Sequence, residues 1–103
     1  PRHTVASEAI AGFPISANLG GTPGTTAVFS YALDPTTAQV NGFDVLANPV
    51  KSRTMILDAV GLGFIRTLCP NSWQGQTVYC QMVTQDSGGA YFASSISTIQ
   101  VDP

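Results

Sequence analysis

The sequence predicts an all-β fold, an antiparallel β-sandwich of about six to eight short strands with an N-terminal strand or arm. Apolar and β-branched runs alternate with polar residues, and turn signals recur about every ten residues. No segment keeps a helical period beyond a turn or two. The composition agrees, because eleven Thr and nine Ser accompany ten Gly and seven Pro. Such residues favour short strands joined by turns.

The clearest element is a long antiparallel hairpin over residues 75–101. Two runs rich in β-branched and aromatic residues flank the sequence Asp-Ser-Gly-Gly at 86–89. Asp bonds to nearby backbone amides and Gly tolerates positive φ, so these residues suit a tight reversal. The first run places three apolar residues on one face: Val78, Cys80 and Met82.

The middle of the chain supplies further strands. Residues 25–33 alternate and predict one strand, and Asn41-Gly42 predicts a hairpin within residues 38–46 that ends at Asn48-Pro49. Residues 54–60 and 64–68 predict two more strands.

The N-terminal segment allows two interpretations. Residues 1–19 form a first unit, which the Gly- and Pro-rich link 20–24 separates from a sandwich domain over residues 20–103. A proline at position 14 is allowed on an edge strand but excludes a central one. The more common interpretation is an ordinary edge strand of the same domain. The more specific interpretation is an arm that fills a groove on a neighbouring copy. The anchors of such an arm would be Val5, Ile10, Phe13, Ile15 and Leu19.

Charge and hydropathy exclude several partners. Only 10% of residues are charged and the net charge is −2, so there is no basic patch for nucleic acid. No apolar run approaches the ~20 residues of a membrane span. Because the low charge and the many hydroxyl residues are typical of secreted or cell-surface β proteins, we expect an extracellular protein. Either a leader removed before Pro1 or an artificially shortened chain would explain a sequence that starts with proline. Several threonines near turn prolines are candidate sites for O-linked glycans.

Cys69 and Cys80 are the only cysteines. In a secreted protein a disulfide between them is the favoured expectation, and two buried free thiols are the alternative. Two cysteines and one distant His cannot supply four zinc ligands, so no metal site is predicted.

No catalytic signature is present. A hydrolase triad needs a positioned His, and His3 is a single histidine near the N-terminus. The carboxylates are scattered, and those in turn sequences, Asp34 and Asp86, are explained by capping. The glycine-rich link lacks the Lys and helix of a phosphate-binding loop. The chain is therefore predicted not to be an enzyme and to need no cofactor.

Trp73 has two interpretations. A tryptophan in a loop can stack on a sugar ring, which would give a glycan contact. The favoured interpretation is a Trp that covers the end of a small core beside Cys69, because large aromatics dominate such cores.

The C-terminal half resembles a known family. Pro70, Gly75-Gln76, Tyr79, Gln81, Asp86 with its Gly turn and Ser94-Ser95 resemble, in pattern and spacing, a short β-sandwich module of secreted proteins from Planctomycetes and related bacteria. This resemblance implies an immunoglobulin-like domain without enzymatic activity. It does not cover residues 1–19 or the cysteine pair.

Two functions follow as expectations. The first is a non-catalytic extracellular structural protein, a subunit that assembles with copies of itself into a surface filament or fibre through a donated N-terminal strand. The alternative is a carbohydrate-binding or adhesion module that uses Trp73.

Overall fold

A computed structural model describes all 103 residues and contains eleven strands and one short 3₁₀ turn, Asn71–Trp73. The strands are β1 (Arg2–Val5), β2 (Glu8–Ala9), β3 (Pro14–Gly20), β4 (Thr26–Ala32), β5 (Thr37–Val40), β6 (Phe43–Leu46), β7 (Pro49–Ile56), β8 (Leu62–Leu68), β9 (Thr77–Gln85), β10 (Tyr91–Ala93) and β11 (Ser97–Val101).

The strands form two facing sheets and a separate hairpin, which confirms the all-β prediction. Sheet A has the order β1-β3-β8, and sheet B has the order β2-β11-β9-β4-β7 with β10 also paired to β9. The hairpin β5-β6 forms its own two-stranded sheet, joined to sheet B by hydrogen bonds between Gln81 and the backbone of Asp44 and Leu46. All pairings are antiparallel except that between β11 and β2. The eleven strands exceed the predicted six to eight. The N-terminal unit contains three strands, β1 to β3, and the second half of the last hairpin is divided into β10 and β11.

The core lies between the sheets and is built from alternating residues. In β4 the buried face presents Ala27, Phe29 and Tyr31, and the Phe29 and Tyr31 rings meet edge to face with centroids 5.1 Å apart. In β9 the buried face is the one that the sequence predicts, with Val78, Cys80 and Met82 each fully buried. Opposite them, sheet A contributes Ile15, Ala17, Leu19 and Ile65.

The long C-terminal hairpin is confirmed, with one irregularity. Strands β10 and β11 pair with the same edge of β9, Tyr91 opposite Gln85 and Ser97 opposite Cys80. The register shifts by one residue between them, over the stretch 94–96. At the reversal the Ala90 N–H donates to Asp86 Oδ1 at 2.8 Å, which is the capping role expected of that carboxylate.

Two strands, β3 and β7, differ from the sequence-based expectation, one in its position in the sheet and the other in where it starts. β3 is the central strand of sheet A and not an edge, and it tolerates Pro14 because proline is its first residue. β7 begins at Pro49 and ends at Ile56, so it starts five residues earlier than predicted. Its alternation is weak in the sequence because an edge strand leaves many side chains in solvent.

Candidate functional site

Residues 1–20 supply two of the three strands of sheet A. β3 pairs with β8 over seven residues, from Pro14 opposite Leu68 to Gly20 opposite Leu62, and β1 pairs with the outer side of β3. The remaining part of the chain contributes only β8 to this sheet. The N-terminal segment therefore builds most of sheet A.

The predicted arm anchors divide into two groups. Ile15 and Leu19 are 5% and 2% exposed and belong to the core, and Val5 packs against it partly buried. Ile10 and Phe13 are 54% and 62% exposed, so they lie outside the core of their own domain and stay predicted anchors of an arm on a neighbouring copy. The alternation begins only at Pro14, since Gly12, with φ +87°, turns the chain just before β3.

His3 ties the N-terminal segment to sheet B. Its ring lies edge-on to Phe29 at 5.2 Å, and its two nitrogens bond to Ser94 and Ser97. Ser94 Oγ already donates to the Ser95 carbonyl and accepts from the Met82 N–H, so it accepts a second bond from His3 Nδ1 at 3.0 Å. The proton therefore belongs on Nδ1, and Nε2 accepts from Ser97.

Burial lowers the pKa of His3 below its ordinary value of 6.5. The unfolded chain then binds this proton more readily, so the free energy of unfolding is greatest above pH 6.5 and falls as pH drops toward the folded-state pKa. The slope in this window is at most about 1.4 kcal/mol per pH unit, the value for one proton. Urea unfolding between pH 5.5 and 8 measures it.

The control for this pH dependence is His3→Gln, since His3 is the only histidine. The Gln variant should show a flat stability profile over the same window. An equal slope in both proteins would assign the dependence to another group.

The structure corrects the expected disulfide. Cys69 and Cys80 are free and fully buried, the first just after β8 of sheet A and the second in β9 of sheet B. Facing sheets lie about 10 Å apart, which exceeds the span of a disulfide unless the backbone approaches locally. Burial raises the pKa of Cys80 to about 12 and also raises the pKa of Cys69. Both thiols are therefore protonated at neutral pH.

Trp73 lies in the core, which is the favoured of its two interpretations and not the alternative of a glycan contact. Its side chain is 4% exposed, and its ring centroid lies 5.8 Å from that of Tyr31. The short 3₁₀ turn that ends at Trp73 folds the indole inward. No free aromatic face remains there for a sugar ring.

A group of apolar side chains that the sequence analysis did not single out lies on the outer face of β8. Leu62, Phe64 and Leu68, here called the apolar row, are 48%, 56% and 57% exposed, while the alternate residues face the core. The sequence contained one signal for this surface, because the β8 segment has apolar residues on both of its faces. That pattern is typical of strands that are covered on both sides.

One edge of β8 is also unpaired. The Cys69 N–H donates to the Phe13 carbonyl at 2.9 Å, so Cys69 directs its backbone groups toward β3. Successive residues of an antiparallel strand direct these groups to opposite edges. The even-numbered residues of β8 therefore direct theirs away from β3, toward an edge where no strand lies.

The unpaired part of this edge has a defined length. The Leu62 carbonyl accepts from the Asp58 N–H, and the Leu62 N–H donates to Asp58 Oδ1, both at 2.9 Å. At the other end, the strand stops before Pro70. Six backbone groups remain without a partner, the N–H and C=O of Phe64, Arg66 and Leu68, here called the open edge.

The other strand edges are short or protected. β1 has four residues and β2 has two. β7 is long, but it begins with Pro49, and Lys51 and Arg53 lie opposite the core residues Tyr31 and Phe29. Proline, lysine and inward-pointing charges all discourage edge pairing. β8 alone combines length with none of these three devices.

The fold and these surfaces define an all-β sandwich domain. No protein-family model, curated protein or solved structure matches the chain, so membership of the Planctomycetes module family stays a prediction. No helix in the chain has the length and hydropathy of a membrane span. No three His, Cys, Asp or Glu side chains lie close enough together to hold a metal ion.

Proposed function

We propose that this domain is a non-catalytic extracellular structural subunit that assembles with copies of itself into a filament or fibre through its N-terminal strand. The observation that supports it is the composition of sheet A, in which β1 and β3 come from residues 1–20 and only β8 comes from the rest. A neighbour's β8 offers the same partner groups, so an exchanged strand would form identical contacts.

The link between the two parts defines what exchange requires. Gly21 N–H donates to the Gly61 carbonyl at 2.9 Å, and Gly24 N–H donates to the Leu57 carbonyl at 3.1 Å. Exchange must break these bonds together with the pairing of β3 with β8, the pairing of β2 with β11 and the contacts of His3. Head-to-tail exchange that does not close on itself extends into a filament.

An exchange test needs a covalent reporter, which Asn18→Cys with Phe64→Cys provides. These residues lie directly opposite each other in β3 and β8, in a pair without mutual backbone hydrogen bonds. Such pairs have Cα atoms about 4.5 Å apart, within the range of a disulfide. Exchange predicts a ladder of disulfide-linked multimers on a non-reducing gel, because each bond then joins two chains.

The single variants Asn18→Cys and Phe64→Cys are the controls and should give no ladder. A disulfide formed only within one chain would overturn the exchanged strand. Light scattering of the unmodified protein tests self-assembly separately, since a protein that is monomeric at every concentration would overturn the whole proposal.

The carbohydrate-binding alternative loses its main support in this fold. It depended on an accessible Trp73, whose indole is covered by the core.

A further inference from the structure

We infer that two copies of this chain also join edge to edge through β8, antiparallel about a two-fold axis at Arg66, so that two three-stranded sheets become one of six strands. This inference rests on the proposed self-assembly and names one of its contacts. The exchanged N-terminal strand lies on the opposite edge of β8, so the two contacts do not compete.

The backbone fixes the register. Only the groups of Phe64, Arg66 and Leu68 are unpaired, and opposite residues of an antiparallel pair exchange both bonds. With Arg66 opposite Arg66 of the second copy, Phe64 lies opposite Leu68 on both sides. All six open-edge groups of each copy then find partners.

The ends of the open edge exclude the other registers. A shift that brings Leu62 opposite Leu68 of the second copy would place that strand where Asp58 already bonds to Leu62. A shift in the opposite direction brings Phe64 opposite Pro70, which has no N–H to donate. The arrangement centred on Arg66 alone uses the whole open edge.

The side chains favour a second copy as the occupant. In this register each exposed Phe64 ring lies beside an exposed Leu68, an aromatic–aliphatic pair that stabilises antiparallel strands. The two Arg66 side chains lie directly opposite each other, which is unfavourable for like charges, but each is also diagonal to a Phe64 ring of the other copy, within reach of its face. Apart from this pair, the apolar side chains of the edge complement themselves under a two-fold rotation.

The test is Arg66→Cys in the full chain. Directly opposite residues in this pair have Cα atoms about 5.5 Å apart, so air oxidation should link the variant into a disulfide-bonded dimer. Ser16→Cys is the matched control, because Ser16 is exposed on the same face but one strand away from the edge. Equal cross-linking of the two variants would overturn the pairing.

A second measurement does not depend on cysteine. Phe64→Lys should weaken self-association by about tenfold or more, because it removes both aromatic–aliphatic pairs and adds a positive charge diagonal to Arg66 of the other copy. Phe92→Lys changes a similarly exposed Phe on β10 and should leave association unchanged. If the unmodified protein assembles while Phe64→Lys has no effect, the β8 pairing is overturned and the proposed function stands. If the unmodified protein is monomeric, both the β8 pairing and the proposed function are overturned. A strand from a different protein would then be the remaining candidate partner of the open edge.

Discussion

Removal of residues 1–19 should abolish cooperative unfolding, the largest effect that we expect from any change in this chain. The deletion removes β1, β2 and nearly all of β3, so sheet A loses its central strand and β8 is left without a partner. Losing side chains such as Ile15 and Leu19 costs about 2–5 kcal/mol each. Domains of this size are stable by only about 5–15 kcal/mol.

Circular dichroism during thermal unfolding measures this effect. Removal of residues 1–5 alone is the control, because it deletes the edge strand β1 and keeps β3. This shorter deletion should lower the melting temperature but preserve a sharp unfolding transition. A truncated chain 20–103 that still melts cooperatively would show that sheet A is dispensable. Since an unfolded chain cannot assemble either, the cysteine pair tests strand exchange better than the truncation does.

Gly61→Ala should destabilise the fold well beyond the usual cost of replacing glycine by alanine in a turn. Gly61 has φ +80°, and a Cβ at this position would overlap the Gly21 carbonyl oxygen. The left-handed conformation costs an alanine about 1–2 kcal/mol, and the overlap adds about 1–3 kcal/mol of packing strain. The Gly61 carbonyl also accepts from the Gly21 N–H, so relief of the overlap would break the contact that holds the N-terminal link.

Gly24→Ala separates the two contributions. Gly24 has φ +75°, and a Cβ there would have nothing within 4 Å, so this variant should lose only the backbone term of about 1–2 kcal/mol. Urea unfolding of the two variants gives the difference. If the two variants lose the same free energy of unfolding, the N-terminal link moves aside without cost. The contact between Gly21 and Gly61 then contributes little to stability.

The local features of this protein were predictable because they depend on neighbouring residues. The alternation of β9 grouped Val78, Cys80 and Met82 on the face that is buried, since side chains in a strand point to opposite sides in turn. Asn41 and Gly42 both adopt positive φ, 50° and 82°, as the hairpin signal requires. Asp34 and Asp86 bond to backbone N–H groups in their turns, which satisfies donors that no strand pairs.

The candidate surfaces were less predictable, because they depend on which strand lies beside which. Phe64 and Leu68 lie in a strand that the sequence predicts, but only the order of sheet A shows that their edge is unpaired, and only the folded chain shows that their outer face is uncovered. The same holds for Trp73, whose burial depends on a 3₁₀ turn that brings it onto Tyr31.

The sequence by itself determined the all-β class, the hairpin turns and the core face of β9, since these follow from a two-residue period and from turn chemistry. Only the tertiary structure decided that Pro14 opens a central strand, that Cys69 after β8 and Cys80 in β9 are free thiols, and that β8 is an edge strand. The physical reason is that strand partners are chosen by contacts between residues distant in the chain. A single strand's alternation specifies its two faces but not its neighbours.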